Sequence, residues 1–371
     1  MSGLFGPSGA VTFALLLAVF AFGVWLGARR RRWRVFAGAA ASFLGAALIG
    51  VSGVNAYYGY YESWGALWSD LAADNGVTVA PAVIPISPVV PRVFGLKNKR
   101  HADAGPWRVL RLSIPGVQSH VRAGSALLLL PPNVRAPLPV LVLVHGQPGG
   151  PTSWLGGLRL AAVLQEQAAE GHIGPMAVVL PDVTDAFSDQ QCLDASAAPH
   201  YATFLSQDLP AAIRSRLPVV APPDGWVAGG LSEGGLCAAN LVLHRPDLFQ
   251  GAGVLDGYFH PDLTRAVLRR AFAGSRTAAL ADDPTALVRS WPASRRLPRF
   301  WIMAGSGNSR DYGAAVGFAT LLGKREDVRF LTVLAARHTT PAWRAALPDL
   351  LQWAWATTNG AGYGGSTSVH E

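Results

Sequence analysis

Hydrophobic and polar positions alternate differently in three parts of this chain. Val11–Ala28 (VTFALLLAVFAFGVWLGA) and Val35–Val54 (VFAGAAASFLGAALIGVSGV) are apolar runs without a charge, separated by Arg29–Arg32, Trp33 and Arg34. Each run has about the 18–20 residues needed to cross a bilayer. From 57 to 104 the apolar pattern fades, Pro81, Pro85, Pro88 and Pro91 punctuate the chain, and Lys97–Arg100 is a polar charged run. This stretch reads as a linker. Beyond Trp107, short apolar runs alternate with segments of helical spacing.

The early runs Arg108–Leu112 and Ser125–Leu130 predict an antiparallel hairpin at a sheet edge. Buried strands follow at Pro139–Val144, Met176–Leu180, Trp226–Ala228, Ala252–Leu255, Phe300–Ala304 and Val328–Leu334. Helical spacing marks Leu158–Ala169, Asp208–Leu217, Leu236–Leu243, Asp262–Ala271, Tyr312–Leu322 and Pro341–Ala354. Strands apolar on both faces, alternating with helices, predict a mostly parallel sheet covered on both sides. The chain therefore divides into a helical hairpin (1–56), a linker (57–104), an α/β domain (105–356) and a Gly/Ser-rich tail (357–371) that reads as disordered.

Charge gives the hairpin a direction. Arginines in the short loop 29–34 place that loop in the cytoplasm, and Tyr57, Tyr58, Tyr60 and Tyr61 follow as an interfacial belt. Both the N-terminus and everything beyond the hairpin then lie outside. A cleaved signal peptide would carry its positive charge before its apolar run, and here the order is reversed. The net charge of +8 owes five arginines to that loop, and no basic stripe with interleaved aromatics appears, which argues against nucleic-acid binding.

Candidate chemistry centres on Gly230-Leu231-Ser232-Glu233-Gly234, a G-x-S-x-G run between a strand-like and a helix-like stretch. That context suits a nucleophile elbow. The turn pushes the serine Oγ into the open and leaves the next N–H, that of Glu233, at a helix N-terminus facing developing negative charge. A general base must reach Ser232. Of nine histidines, His338 falls just after the last strand, where the base belongs in a Ser…acid…His order. His145 ends the third strand and reads as shaping the neighbouring loop. His101, His120, His172, His200, His244, His260 and His370 read as loop, edge or surface residues.

The acid that orients the histidine belongs after Phe300–Ala304. Asp311 is the leading candidate and Asp256, one strand earlier, the second. Asn308 is nearer the expected position but carries no charge, and Glu326 and Asp327 sit at the wrong end of the last strand. A second oxyanion donor is expected from the loop after the third strand, at the Gln147 N–H, with Gly146, Gly149 and Gly150 permitting close approach. Cys192 and Cys237 both fall near the strand C-terminal edge, as a disulfide or as two buried thiols, and neither sits in a metal-binding spacing. No cofactor is implied. The segment 259–298, rich in arginine, reads as a cover over the site: a solvated helical face, or a contact for anionic headgroups.

Several motifs together resemble the esterase D and mycolyltransferase-like esterases of the α/β-hydrolases, in their membrane-anchored actinobacterial form. They are V-H-G-Q-P-G-G (144–150), the loop Gln190–Asp194, G-L-S-E-G-G-L-C-A-A-N (230–240) with H-R-P-D-L-F (244–249), and H-T-T-P-A-W (338–343). The resemblance spans about residues 105 to 356. It implies an α/β-hydrolase fold, Ser232 and His338 as nucleophile and base, and the Gln147 and Glu233 amides as the oxyanion hole. Family esterases carry G-x-x-D after the acid strand, whereas Gly305 is followed three residues later by Asn308, so the acid departs from the pattern. Cysteines in both matching segments of membrane-anchored relatives imply a Cys192–Cys237 bridge. The resemblance points to a serine esterase, and the membrane anchoring favours a lipid or cell-envelope ester by proximity. The rivals are acyl transfer to a sugar or lipid hydroxyl and a non-catalytic hydrolase-fold envelope sensor. Oligomeric state is not encoded in any motif.

Overall fold

The computed structural model describes residues 33–58 and 107–359, except for 133, 135, 148, 184–191, 195–199, 262, 266–267, 270–271, 308 and 324–327. The first apolar run, most of the arginine loop, the linker beyond Tyr58 and the final tail lie outside the described residues. Two compact units emerge, Met1–Val77 with His338–Pro341, and Thr78–Arg337 with Ala342–Glu371. In the first, the second apolar run forms α1 (Trp33–Tyr58). Its side chains are described only at 38–50 and 52, and among the described residues no helix is long and apolar enough to cross a membrane.

The second unit is built on eight strands: β1 (Arg108–Ser113), β2 (Ser125–Leu130), β3 (Val140–Val144), β4 (Ala177–Pro181), β5 (Trp226–Leu231), β6 (Gly251–Leu255), β7 (Arg299–Gly305) and β8 (Val328–Val333). Their order across the sheet is β1-β2-β4-β3-β5-β6-β7-β8. β1 and β2 pair antiparallel, as does β2 with β4, and every other pairing is parallel. The expected edge hairpin and mostly parallel sheet are both present. All side chains of β3, β4, β5 and β6 are buried, whereas β1 alternates, as an edge strand with one wet face should.

Between strands lie α2 (Thr152–Leu155), α3 (Leu160–Ala169), α4, α5 (Glu233–His244), α6 (Arg276–Ala281), α7 (Pro284–Arg289) and α8 (Ser309–Gly323), and α9 (Thr340–Thr358) follows the last strand. Here α4 joins Tyr201–Thr203, a π-helical turn Phe204–Asp208 and Leu209–Arg216 without a break, so the helix expected from Asp208 begins earlier. The last helix runs on to Thr358, which moves the start of the tail past its expected position. Consecutive strand residues point to opposite faces, and β6 shows what covers each. A Cβ on Gly253 would meet Leu350 of α9, whereas Val254 packs against Gly235 of α5.

Two polar clamps fix the frame. Buried Asp208 accepts from the Ser119 hydroxyl (2.6 Å) and from the Gln118 and Ser119 amides, tying the β1–β2 connection to α4. Asp349 accepts from Trp301 Nε1 (2.7 Å) and pairs with Arg329 (2.9 Å), locking α9 onto β7 and β8.

Candidate active site

The strand register brings the candidate groups to one edge. Val144 pairs with Gly230 and Leu231 with Leu255, so β3, β5 and β6 end level with each other. The residues that follow, His145, Ser232 and Asp256, emerge side by side at the C-terminal edge, where open α/β sheets bind ligands.

Ser232 sits at φ 55°, ψ −122° between β5 and α5. A side chain other than glycine adopts that region only under strain, and such strain concentrates at functional sites. Packing holds it there. The Ser232 N–H donates to the Leu255 carbonyl (3.0 Å), and the Ser232 carbonyl accepts from Gly235 N–H (2.9 Å). The turn has no room for side chains: a Cβ on Gly230 would strike the Gly234 carbonyl, and one on Gly234 the Val144 and His145 carbonyls. Ser232 and Glu233 are half-buried, while the helix behind them is almost wholly buried.

The β3 exit approaches from the side. A Cβ on Gly146 would lie 3.1 Å from the Ser232 Cβ. His145 orients this loop. The Val183 N–H donates to His145 Nε2 (3.2 Å), which leaves the proton on Nδ1, and Nδ1 donates to the Gly146 carbonyl (2.9 Å). In a trans peptide the N–H points away from the carbonyl, so pinning the Gly146 oxygen turns the Gln147 N–H to the opposite side. Burial pushes His145 below the ordinary histidine range, against the opposing pull of the Gly146 carbonyl and Asp182. A neutral ring accepts one bond and donates the other, which is what this arrangement requires. The expectation that His145 shapes the loop matches this geometry.

The two acid candidates differ in setting. Asp256 is buried (1% exposed) at φ 50°. Its N–H donates to the Met303 carbonyl (2.7 Å), and its Oδ1 accepts from the Gly305 N–H (3.3 Å), so it joins the exits of β6 and β7. Asp311 is half-buried in the first turn of α8, not in a loop after β7, and it is not the helix N-cap. Asn308 lies outside the described residues.

The exits of β7 and β8 are tied together. Ser306 N–H donates to Val333 O (3.1 Å), Gly307 N–H to Ala336 O (2.7 Å), and Ala335 N–H to Ser306 Oγ (2.8 Å). His338 follows two residues after Ala336, in the connection leading to α9.

Cys192 and Cys237 form a disulfide with Cα atoms 5.4 Å apart, linking the segment after β4 to the second turn of α5. The arginine-rich segment 259–298 contains α6 and α7, capped by Ser275 and Asp283, with Arg295 over the Trp291 ring at 5.2 Å. Among the described residues no cluster of His, Cys, Asp or Glu could hold a metal ion.

The family model described as "Putative esterase" matches residues 122–354. The chain belongs to this esterase family. The esterase D and mycolyltransferase-like resemblance falls within it. An uncharacterized protein of Corynebacterium glutamicum is 28% identical over 243 residues, covering 62% of this chain and 57% of that protein's length. Among solved structures, a ferulic acid esterase superposes with a TM-score of 0.59 at 17% identity, over 68% of this chain and 99% of that one. An S-formylglutathione hydrolase from Agrobacterium tumefaciens gives 0.57 at 19% identity, over 69% and 98%. At such identities these two likenesses establish the fold alone.

The sequence pattern did not reveal the π-helical turn or the Asp208 clamp. The Pro210 that enters the helix at 209–216 was a visible signal for irregularity in α4; the clamp depends on contacts between residues far apart in the chain.

Proposed function

We propose that this esterase is a membrane-anchored serine hydrolase whose catalytic unit lies outside the cytoplasm, with the basic loop 29–34 inside. The observation that carries the reading is the strained Ser232 turn, flanked by Gly146 on one side and by Asp256 on the other. Ser232 Oγ attacks the ester carbonyl carbon while His338 takes its proton. The Gln147 and Glu233 N–H groups receive the oxyanion. His338 then protonates the departing alkoxide, leaving an acyl-serine, and water activated by the same histidine releases the acid.

Asp311 is the acid that chain order favours. Burial and the bond to Gly305 favour Asp256, since a triad acid works best shielded and held as a carboxylate. Anchoring is supported by the two charge-free runs and the arginines between them, and an oxidising compartment by the Cys192–Cys237 bridge. An enzyme held at a membrane meets lipid and cell-envelope esters first, and these are the proposed substrates. If a sugar or lipid hydroxyl replaces water in the second step, the same residues perform acyl transfer.

The test is p-nitrophenyl ester hydrolysis by the full chain, beside Ser232→Ala and His338→Ala. Loss in both variants with folding retained supports the mechanism. Acyl release without an acceptor favours hydrolysis, and turnover only with an added hydroxyl acceptor favours transfer. A wild type no faster than Ser232→Ala, and unlabelled by a fluorophosphonate, would leave the non-catalytic sensor reading.

A further inference from the structure

The segment that follows β3 has little of its own to hold a shape. Gly146, Gly149, Gly150, Gly156 and Gly157 all fall within it, and each leaves the backbone free to turn. The only helix there is the single turn α2. A side chain from the last helix reaches this segment. Arg344, in the second turn of α9, donates from both Nε and Nη2 to the Gly157 carbonyl, Nε at 3.0 Å. The partners stand 187 positions apart, so the contact is tertiary and not a local cap. A guanidinium suits a carbonyl just past a helix C-terminus, where partial negative charge collects, and a charged donor makes the stronger bond.

A series of contacts runs from that carbonyl back to Ser232. Gly157 C=O and Leu158 N–H belong to one peptide, and the N–H donates to the Ser153 carbonyl (3.3 Å). The two groups of a trans peptide point opposite ways, so this peptide is held from both sides, by α9 and by α2. Ser153 in turn donates from its N–H (3.1 Å) and its Oγ (2.6 Å) to the Gly150 carbonyl. Gly149 next to it sits so tightly that a Cβ there would lie 2.9 Å from the Gly146 oxygen, the atom His145 Nδ1 also holds. That oxygen belongs to the peptide whose N–H is that of Gln147.

We infer that Arg344 is a positioning residue for ester cleavage. By clamping the Gly157–Leu158 peptide it fixes, through Ser153 and Gly150, the turn that aims the Gln147 N–H at the oxyanion. The inference rests on the proposed roles of Ser232 and the Gln147 amide. An oxyanion donor acts mainly in the transition state. Loosening it therefore slows turnover and leaves ester binding largely as it was.

The experiment uses the full chain and p-nitrophenyl acetate, with Arg344→Met, Arg344→Lys and Ser153→Ala beside wild type and Ser232→Ala. Arg344→Met keeps the apolar stem and removes the donors. It is expected to lower kcat by roughly 10- to 100-fold with KM within about threefold, the scale of a misplaced catalytic group. Arg344→Lys, which keeps one charged donor, should recover part of the rate. Ser153→Ala breaks the same series nearer the site and should act in the same direction, which keeps the test open if Arg344→Met does not fold. The deciding readout is Ki for trifluoroacetophenone, whose hemiketal with the serine forms an oxyanion in the ester's place. Ki should rise by the same factor as kcat/KM falls. A variant that merely populates less folded enzyme would lose rate with Ki unchanged, and that outcome would overturn the inference. So would a rate and a Ki both within about threefold of wild type in Arg344→Met. A wild type no faster than Ser232→Ala is a different result: the esterase reading itself fails, and the inference goes with it.

Discussion

In the proposed mechanism the exit of β5 and the exit of β7 each deliver one group to the same chemistry, and they are built on opposite terms. At β5 the requirement is local. Ser232 needs an unfavourable backbone angle, and Gly230 and Gly234 beside it permit the turn, with backbone filling the space where their side chains would be. At β7 the requirement is only that a carboxylate arrive near a histidine. Arrival can come from α8, through Asp311, or from the neighbouring strand, through Asp256. A turn that must be strained is tied to its sequence, whereas a charge that must merely be nearby can migrate between strand ends.

That contrast breaks most sharply on the acid. One of Asp256→Asn and Asp311→Asn should lower kcat/KM by about 10⁴-fold, as loss of the orienting carboxylate does in serine triads, while the other stays within about threefold. Equal, small effects would mean that neither acid acts, and that His338, if it acts, works unassisted. Because Asp256 also joins β6 to β7, its variant should be checked for retained melting temperature.

The elbow is expected to be fragile in a different currency. The Cys192→Ser/Cys237→Ser pair opens a link across 45 residues, worth about 4 kcal/mol in chain-entropy terms and usually somewhat less in practice. Urea unfolding of the double variant measures it. Gly230→Ala drives a methyl into the Gly234 carbonyl, and a loss of about 3 kcal/mol is expected by the same method. Activity should fall with it, since the backbone moves exactly where Ser232 is held; an unperturbed variant would show that the turn has slack.

The smallest effect concerns His145. Its folded-state affinity for a proton is lowered by burial, so the unfolded chain binds more protons below the ordinary histidine value of about 6.5. Stability contributed by the neutral ring is therefore full above that pH and is lost on acidification, by at most about 1.4 kcal/mol per pH unit. Melting temperatures from pH 7 to pH 5 should fall more steeply for wild type than for His145→Gln.

These differences in construction also explain what was legible beforehand. Strand positions were readable because β3 to β6 are apolar on both faces, and the elbow because its glycines are dictated within five residues. The disulfide followed from the family resemblance and is present. The helix at Tyr201–Arg216 was seen only in its second half, because Pro210 and the polar Ser206, Gln207 and Asp208 mask an apolar face that the π turn re-aims. The identity of the acid stayed open because it depends on which strand ends lie side by side.

The strand order carries one more consequence, for the chain as it leaves the ribosome. β2, with its run of four leucines, bonds to β4 and not to β3, and β3 in turn lies between β4 and β5. The β1–β2 hairpin can close as soon as it is made, but it has no sheet to join until β4 has been synthesised, and the centre of that sheet is incomplete until β5 follows. A nascent chain must therefore carry its most apolar edge unpaired through the synthesis of two further strands, the interval in which such segments are exposed to misassociation.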